Sequence, residues 1–266
     1  MRRRTARAAP WRFRAAGLGL LLAGAAAHAQ YVVPAGATMG LGGGTMDLAC
    51  TDVIVDGTLD MQGDTFVNVR HVQIGAAGSL ALGSGSVTLA GNWANAGAFD
   101  AGTGSVGIVD DAACSAGSVV SGNSSFYALS VTSASGKLVQ FTVGSMQTVQ
   151  SSLTLTGAAG TPLRIESTTP GTVSADINLL TGATQNLANL AVRGMGASGQ
   201  WLAAGQTNQG AGPVNRWFGT PVPPGGIAPV PTLSQWALVG MALALGALAA
   251  RQRRPLHQKT SGRKSS

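Results

Sequence analysis

The sequence predicts an all-β chain wound as a parallel β-solenoid with coils of about 20 residues, followed by a C-terminal hydrophobic helix. Three observations carry this. From Gln30 to about Phe218 the chain is dominated by Gly, Ala, Ser, Thr, Val and Leu and holds few of the residues that favour helices. Apolar residues alternate with polar ones: Val53, Val55, Leu59 and Met61 share one parity, and Asp52, Asp56, Asp60 and Asp64 share the other, as in a strand with one buried face. Finally, a short unit recurs. Gly57-Thr58-Leu59-Asp60-Met61 aligns with Gly78-Ser79-Leu80-Ala81-Leu82 and with Gly97-Ala98-Phe99-Asp100-Ala101, at intervals of 21 and 19 residues. An antiparallel β-sandwich also accommodates short alternating strands, so the sequence leaves it open as the alternative.

The first element, residues 1–29, reads as a signal peptide. Arg2, Arg3, Arg4, Arg7, Arg12 and Arg14 precede an apolar stretch over residues 15–27. Ala27-His28-Ala29 supplies a small-x-small cleavage site, so Gln30 is the expected first residue of the exported chain.

The repeat body spans residues 30–218, enough for about nine coils. Each aligned unit follows a β-branched or apolar run, namely Val53-Ile54-Val55, Val72-Gln73-Ile74 and Val87-Thr88-Leu89. A later pair of segments, around Leu129 and Leu190, is similar at a separation of about three coils, with Leu153 and its neighbours supplying a strand between them. The style of the repeat resembles the β-helical passenger regions of bacterial surface proteins, most clearly over residues 91–104.

Residues 219–229 form a linker rich in Pro and Gly, kept extended by its prolines. Residues 230–254 follow, with Val230-Pro231-Thr232-Leu233-Ser234-Gln235-Trp236 at the head, no charge over residues 236–250, and then Arg251, Arg253 and Arg254. Fifteen helical residues cover about 22 Å of a hydrocarbon core about 30 Å thick, which puts Leu233 at the interface with Trp236, whose ring suits that boundary. The basic stop stays cytoplasmic by the positive-inside tendency, as does the tail of residues 255–266. Val230, Pro231, Thr232, Leu233 and Trp236 with the helix and the arginines resemble the IPTL-CTERM family of sorting signals; Val230 replaces that family's Ile, and Ala237 the Gly after its Trp. The resemblance implies recognition by a membrane-embedded exosortase-type transpeptidase, transient anchoring in the inner membrane of a diderm bacterium, and delivery to the cell envelope, the surface or the medium. A plain membrane anchor is the alternative reading of the same tail.

Charge excludes one class of partner. The chain carries 17 basic and ten acidic residues, a formal +7. Six of the basic residues lie in residues 1–29 and six after Ala250. The body keeps Arg70, Lys137, Arg164, Arg193 and Arg216, so five basic residues against all ten acidic ones leave −5. Nucleic acid is therefore not an expected partner; extracellular polysaccharide or other surface components are.

No catalytic residue, cofactor site or metal site is expected. His71 is the one histidine in the body, and no nucleophile elbow accompanies it. It is expected at the surface. The four aspartates of shared parity are expected to form a solvated face, since no calcium-type glycine repeat accompanies them. Asp110 and Asp111 are adjacent, a poor geometry for an acid–base pair. Cys50 and Cys114 are the only cysteines, and export favours a disulfide between them, with two buried free thiols as the alternative. Sixty-four residues make about three coils, so equivalent positions would stand about 14 Å apart against a limit near 7 Å. A bridge needs residues 45–50 as an N-terminal cap, or residues 110–117 as a loop folding back. The enzyme alternative is a β-helical polysaccharide lyase or hydrolase, which needs carboxylates such as Asp100, Asp110, Asp176 and Glu166 clustered on one face.

Overall fold

The computed structural model describes residues 30–219, together with Leu243 and Leu245. The chain divides into two units, residues 1–220 and 221–266. The described residues of the first form a stack of about nine coils, most of them three-sided, and every named strand pair is parallel. That excludes the antiparallel sandwich. Of the second unit only Leu243 and Leu245 are described; both are helical.

Each coil visits three faces in order. Face one stacks Gln30–Val33 on residues 52–55, then 72–74, Trp93–Asn95, Gly117–Ser121, Leu138–Phe141, Leu163–Ser167 and Leu190–Arg193. Face two begins with Thr38–Gly40, Thr58–Asp60, Ser79–Ala81 and Ala98–Asp100, which form a separate four-stranded sheet. It resumes with residues 124–126, 146–149, Ala175–Leu179 and Met195–Gly199. Face three stacks residues 45–47, 65–69, Ser86–Leu89, Ser105–Ile108, 128–132, 152–156 and Thr184–Ala188. Long strands such as Thr45–Val55 and Thr65–Ile74 turn from face three to face one without stopping.

The period-two pattern explains the core. Leu59 pairs with Leu80 and Leu80 with Phe99 across neighbouring coils, as the aligned pentapeptides require. Val53, Val72 and Trp93 stack in the same way on face one. Side chains that point inward in one coil thus land on inward side chains in the next, and a continuous narrow core runs from Val33 to Trp217. Glycine makes the corners. A Cβ on Gly78 would overlap the Val55 carbonyl oxygen of the coil before it.

Two expectations about repeat phase are corrected. Val87-Thr88-Leu89 lies on face three, where Val87 pairs with Phe66, and is not the face-one equivalent of Val53-Ile54-Val55. That place belongs to Trp93-Ala94-Asn95, which the β-branched signature misses because its second inward residue, Asn95, is polar. Leu129 and Leu190 also lie on different faces: Leu129 stacks on Leu153 of face three, and Leu190 pairs with Leu163 of face one. Insertions lengthen the later coils. Ser152 and its partner Thr184 are 32 residues apart, so a fixed period of 20 loses phase there.

Candidate functional site

The residues that the sequence singles out fall into two groups. Val230, Pro231, Thr232, Leu233 and Trp236, the basic stop at Arg251, Arg253 and Arg254, and the cleavage residues Ala27 and Ala29 lie outside the described residues; Gln30 opens the first strand. Among the described residues no helix is long and apolar enough to cross a membrane.

Cys50 and Cys114 meet at the corner between faces three and one. Their Cα atoms are 5.4 Å apart and their sulfurs are joined. Residues 45–50 are not a cap: they are the face-three strand of the first coil and its corner, with Cys50 at φ +63°. The reach comes from residues 109–116, which leave the fourth coil and fold back along the corner. Asp111 fixes this loop by accepting from the Ala113 and Cys114 amides at 3.1 and 3.2 Å. Lys137, almost fully buried, donates from Nζ to the Ser115 carbonyl at 2.9 Å, and burial pushes its pKa down. A lone lysine in a polar stretch carries no burial signal, so the sequence shows the charge of Lys137 but not its place.

In the strand Thr65–Ile74, Arg70 clamps Asp52 with Nε at 2.7 Å and an Nη at 2.5 Å. Arg70 holds the Asp52 carboxyl below its usual range. His71 is not a surface residue but half-buried. Its Nδ1 accepts from the Asn92 amide at 2.8 Å, and burial, first of all, pushes its pKa down, which keeps the ring neutral.

The four aspartates do not form one solvated face. Asp52 is paired on face one, Asp60 points outward on face two, and Asp56 and Asp64 stand at corners. Asp64 is 6% exposed, with no partner for Oδ2. Corners interrupt the alternation, so parity counted through them no longer reports side-chain direction.

The carboxylates that a polysaccharide-cleaving site would need are spread over the body. Asp100 sits on face two of the fourth coil, where Oδ1 accepts from the Gly102 amide at 2.9 Å. Asp110 stands at the corner between faces three and one and accepts from Ser133 Oγ and from the Ala134 and Ser135 amides at 2.7–2.9 Å. Asp176 lies on face two of the seventh coil and accepts from Ser198 Oγ. Glu166 lies on face one, flanked by Arg164 at 3.3 Å and Arg193 at 3.9 Å.

One buried polar cluster went unforeseen. Where the face-two ladder stops after Ala98–Asp100, Trp93 Nε1 and Asn95 Nδ2 donate to Ser124 Oγ at 3.0 and 3.1 Å. Gln147 accepts from the Ser124 amide and donates to the Gly122 carbonyl. Trp93, Phe99 and Phe126 pack around it with ring centroids 4.9–5.5 Å apart. These groups satisfy one another, as a structural joint requires.

The tail decides the comparison with known families. Residues 228–255 match the IPTL-CTERM motif. The chain thus ends in a C-terminal sorting signal, and the protein is an exported one sorted through that end. No curated protein and no solved structure matches the chain.

Proposed function

We propose that this IPTL-CTERM chain is a non-enzymatic, adhesin-like or structural surface protein, handed to the cell envelope by an exosortase-type transpeptidase that reads Pro231-Thr232-Leu233 and Trp236. The single observation that carries the reading is the sorting motif at residues 228–255 behind a body built wholly of stacked coils. A solenoid suits display, because its length grows with coil number while its cross-section stays constant. The non-enzymatic part is supported by the carboxylates: Asp100, Asp110, Asp176 and Glu166 each hold a structural partner, and they are divided among face two, a corner and face one.

Intact mass of the mature protein, with its cell fraction, tests the sorting step. The expected chain starts at Gln30 and has lost the apolar run and the arginines; retention of Ala250 and Arg254 in the mature protein overturns sorting in favour of a plain anchor. Trp236→Ala should leave the uncut precursor in the membrane fraction. Turnover of any polysaccharide by the purified body overturns the non-enzymatic reading.

A further inference from the structure

The corner between faces two and three obeys a rule in the first four coils, and one residue breaks it. The turns run Leu41-Gly42-Gly43-Gly44, Met61-Gln62-Gly63-Asp64, Leu82-Gly83-Ser84-Gly85 and Ala101-Gly102-Thr103-Gly104. In the fourth place stands glycine three times and Asp64 once. Glycine is required there for a stated reason: a Cβ on Gly85 would overlap the Asp64 carbonyl oxygen, and one on Gly104 would overlap the Gly85 carbonyl oxygen. The Cβ direction at this place is back toward the preceding coil. Asp64 therefore pushes its side chain against the turn of the first coil, and an ideal Cβ on Gly44 would lie 4.0 Å from Asp64 Oδ1.

That first turn is open. In the next three coils the fourth residue of the turn donates its amide to the first: Asp64 to Met61 at 2.9 Å, Gly85 to Leu82 at 2.9 Å and Gly104 to Ala101 at 2.8 Å. Gly44 makes no such bond to Leu41, although its carbonyl still accepts from Thr65. Residues 41–46 with Asp64 and Phe66 instead line a pocket of about 200 Å³. Into this setting the fold buries a carboxylate, 6% exposed, with one oxygen unpartnered. Tyr31 stands near, in an edge contact of 5.6 Å with Phe66, and its phenol feels the Asp64 charge after the larger effect of its own burial. A buried polar oxygen without a partner is costly, and no cationic side chain reaches Asp64 among the described residues.

We propose that Asp64 and the opened turn of residues 41–45 form a binding site for a hard divalent cation, with Ca²⁺ as the ion it fits. The donors on offer are oxygens: the Asp64 carboxylate, the carbonyls of the turn and the Thr45 hydroxyl. Oxygen donors on a flexible glycine turn, with Gly43 at φ +86°, suit the irregular shell of Ca²⁺ better than the strict octahedron of Mg²⁺. A single carboxylate sets a weak affinity, about 10⁻⁴–10⁻³ M, in the range of extracellular modules. The ion replaces the missing turn bond and closes the first coil.

Thermal unfolding of the purified protein in EDTA and in about 10 mM Ca²⁺ or Mg²⁺ tests this. Wild type should gain about 5 °C in Ca²⁺ and less in Mg²⁺. Asp64→Asn keeps the shape of the side chain but loses the carboxylate donor, and should gain nothing from Ca²⁺. A wild-type midpoint indifferent to both cations overturns the proposal, as does an undiminished Ca²⁺ shift in Asp64→Asn. Should that variant not fold, Tb³⁺ luminescence excited through tyrosine decides on the wild-type protein and Tyr31→Phe. Emission that Ca²⁺ displaces and that dims in Tyr31→Phe supports the site; emission unchanged by Tyr31→Phe overturns it.

Discussion

At the scale of single residues, the described part of the molecule ties several of its few ionisable groups into local hydrogen bonds. Asp110 shows how. Burial raises its pKa, but the donors at Ser135, Ser133 and Ala134 outweigh that, and the net position is below the usual carboxylate range. Asp52 is lowered too, chiefly by its bond from Arg70. A carboxyl held low in the fold stabilises it above the unfolded pKa, near 3.9, and that contribution is lost as pH falls through the folded value. His71 acts higher on the scale. Its folded pKa is depressed from about 6.5, so the fold prefers the neutral ring, and stability declines as pH drops below 6.5 toward the folded value. Stability against urea should therefore fall in two stages on acidification, a small one beginning near pH 6.5 and a larger one below about pH 4. His71→Gln should abolish the first stage and keep the second. Asp110→Ala should cost about 1–2 kcal/mol at neutral pH, read from the urea midpoint, because three donors lose one acceptor.

At the scale of elements, the strands were legible and the corners only half so. Leu59, Leu80 and Phe99 could be stacked from the sequence because three consecutive coils keep nearly one period, and alternation tells which side chains point inward. Asp64 could not be placed, since its burial follows from occupying a glycine position at a bend rather than from parity. Leu129 and Leu190 were misaligned for a different reason. Insertions at residues 109–116, 157–162 and 168–174 add length without adding a face, and a period counted in residues absorbs them as extra coil. Trp93, Asn95, Ser124 and Gln147 were invisible because a buried polar cluster is recognised by its partners, and those lie 23–31 residues apart. The corner glycines themselves make a sharp comparison. Gly78→Ala should destabilise by about 3 kcal/mol, since its Cβ would meet backbone, which has no room to yield. Gly42→Ala, with open space around it and no left-handed backbone, should stay within about 0.5 kcal/mol of wild type. Urea midpoints at constant slope would separate the two.

At the scale of the whole molecule, the disulfide matters because a solenoid is otherwise coupled only between neighbours. Each coil of this stack rests on the one before and the one after, and its stability is close to a sum of such contacts. Among the described residues, Gln30–Val33, Thr38–Gly40 and residues 45–47 are each paired on one side, by residues 52–55, Thr58–Asp60 and residues 65–67. Such an end is the natural place for unfolding to begin. The bond from Cys50 to Cys114 runs across that order, from the corner of the first coil to the loop that leaves the fourth, and closes a segment 64 residues apart in sequence. Loop closure of that length contributes about 4 kcal/mol. Its larger effect is on cooperativity: while the bond holds, the first coil cannot separate fully from the fourth, and coils one to four open together. Reduced and alkylated protein should then lose about 4 kcal/mol and also show amide exchange rising in order from the first coil inward. The oxidised protein should show one common protection level across residues 52–108. Equal exchange profiles in the two states would mean that the coils are held by stacking alone, and that the loop over residues 109–116 is a passenger on the corner rather than its clasp.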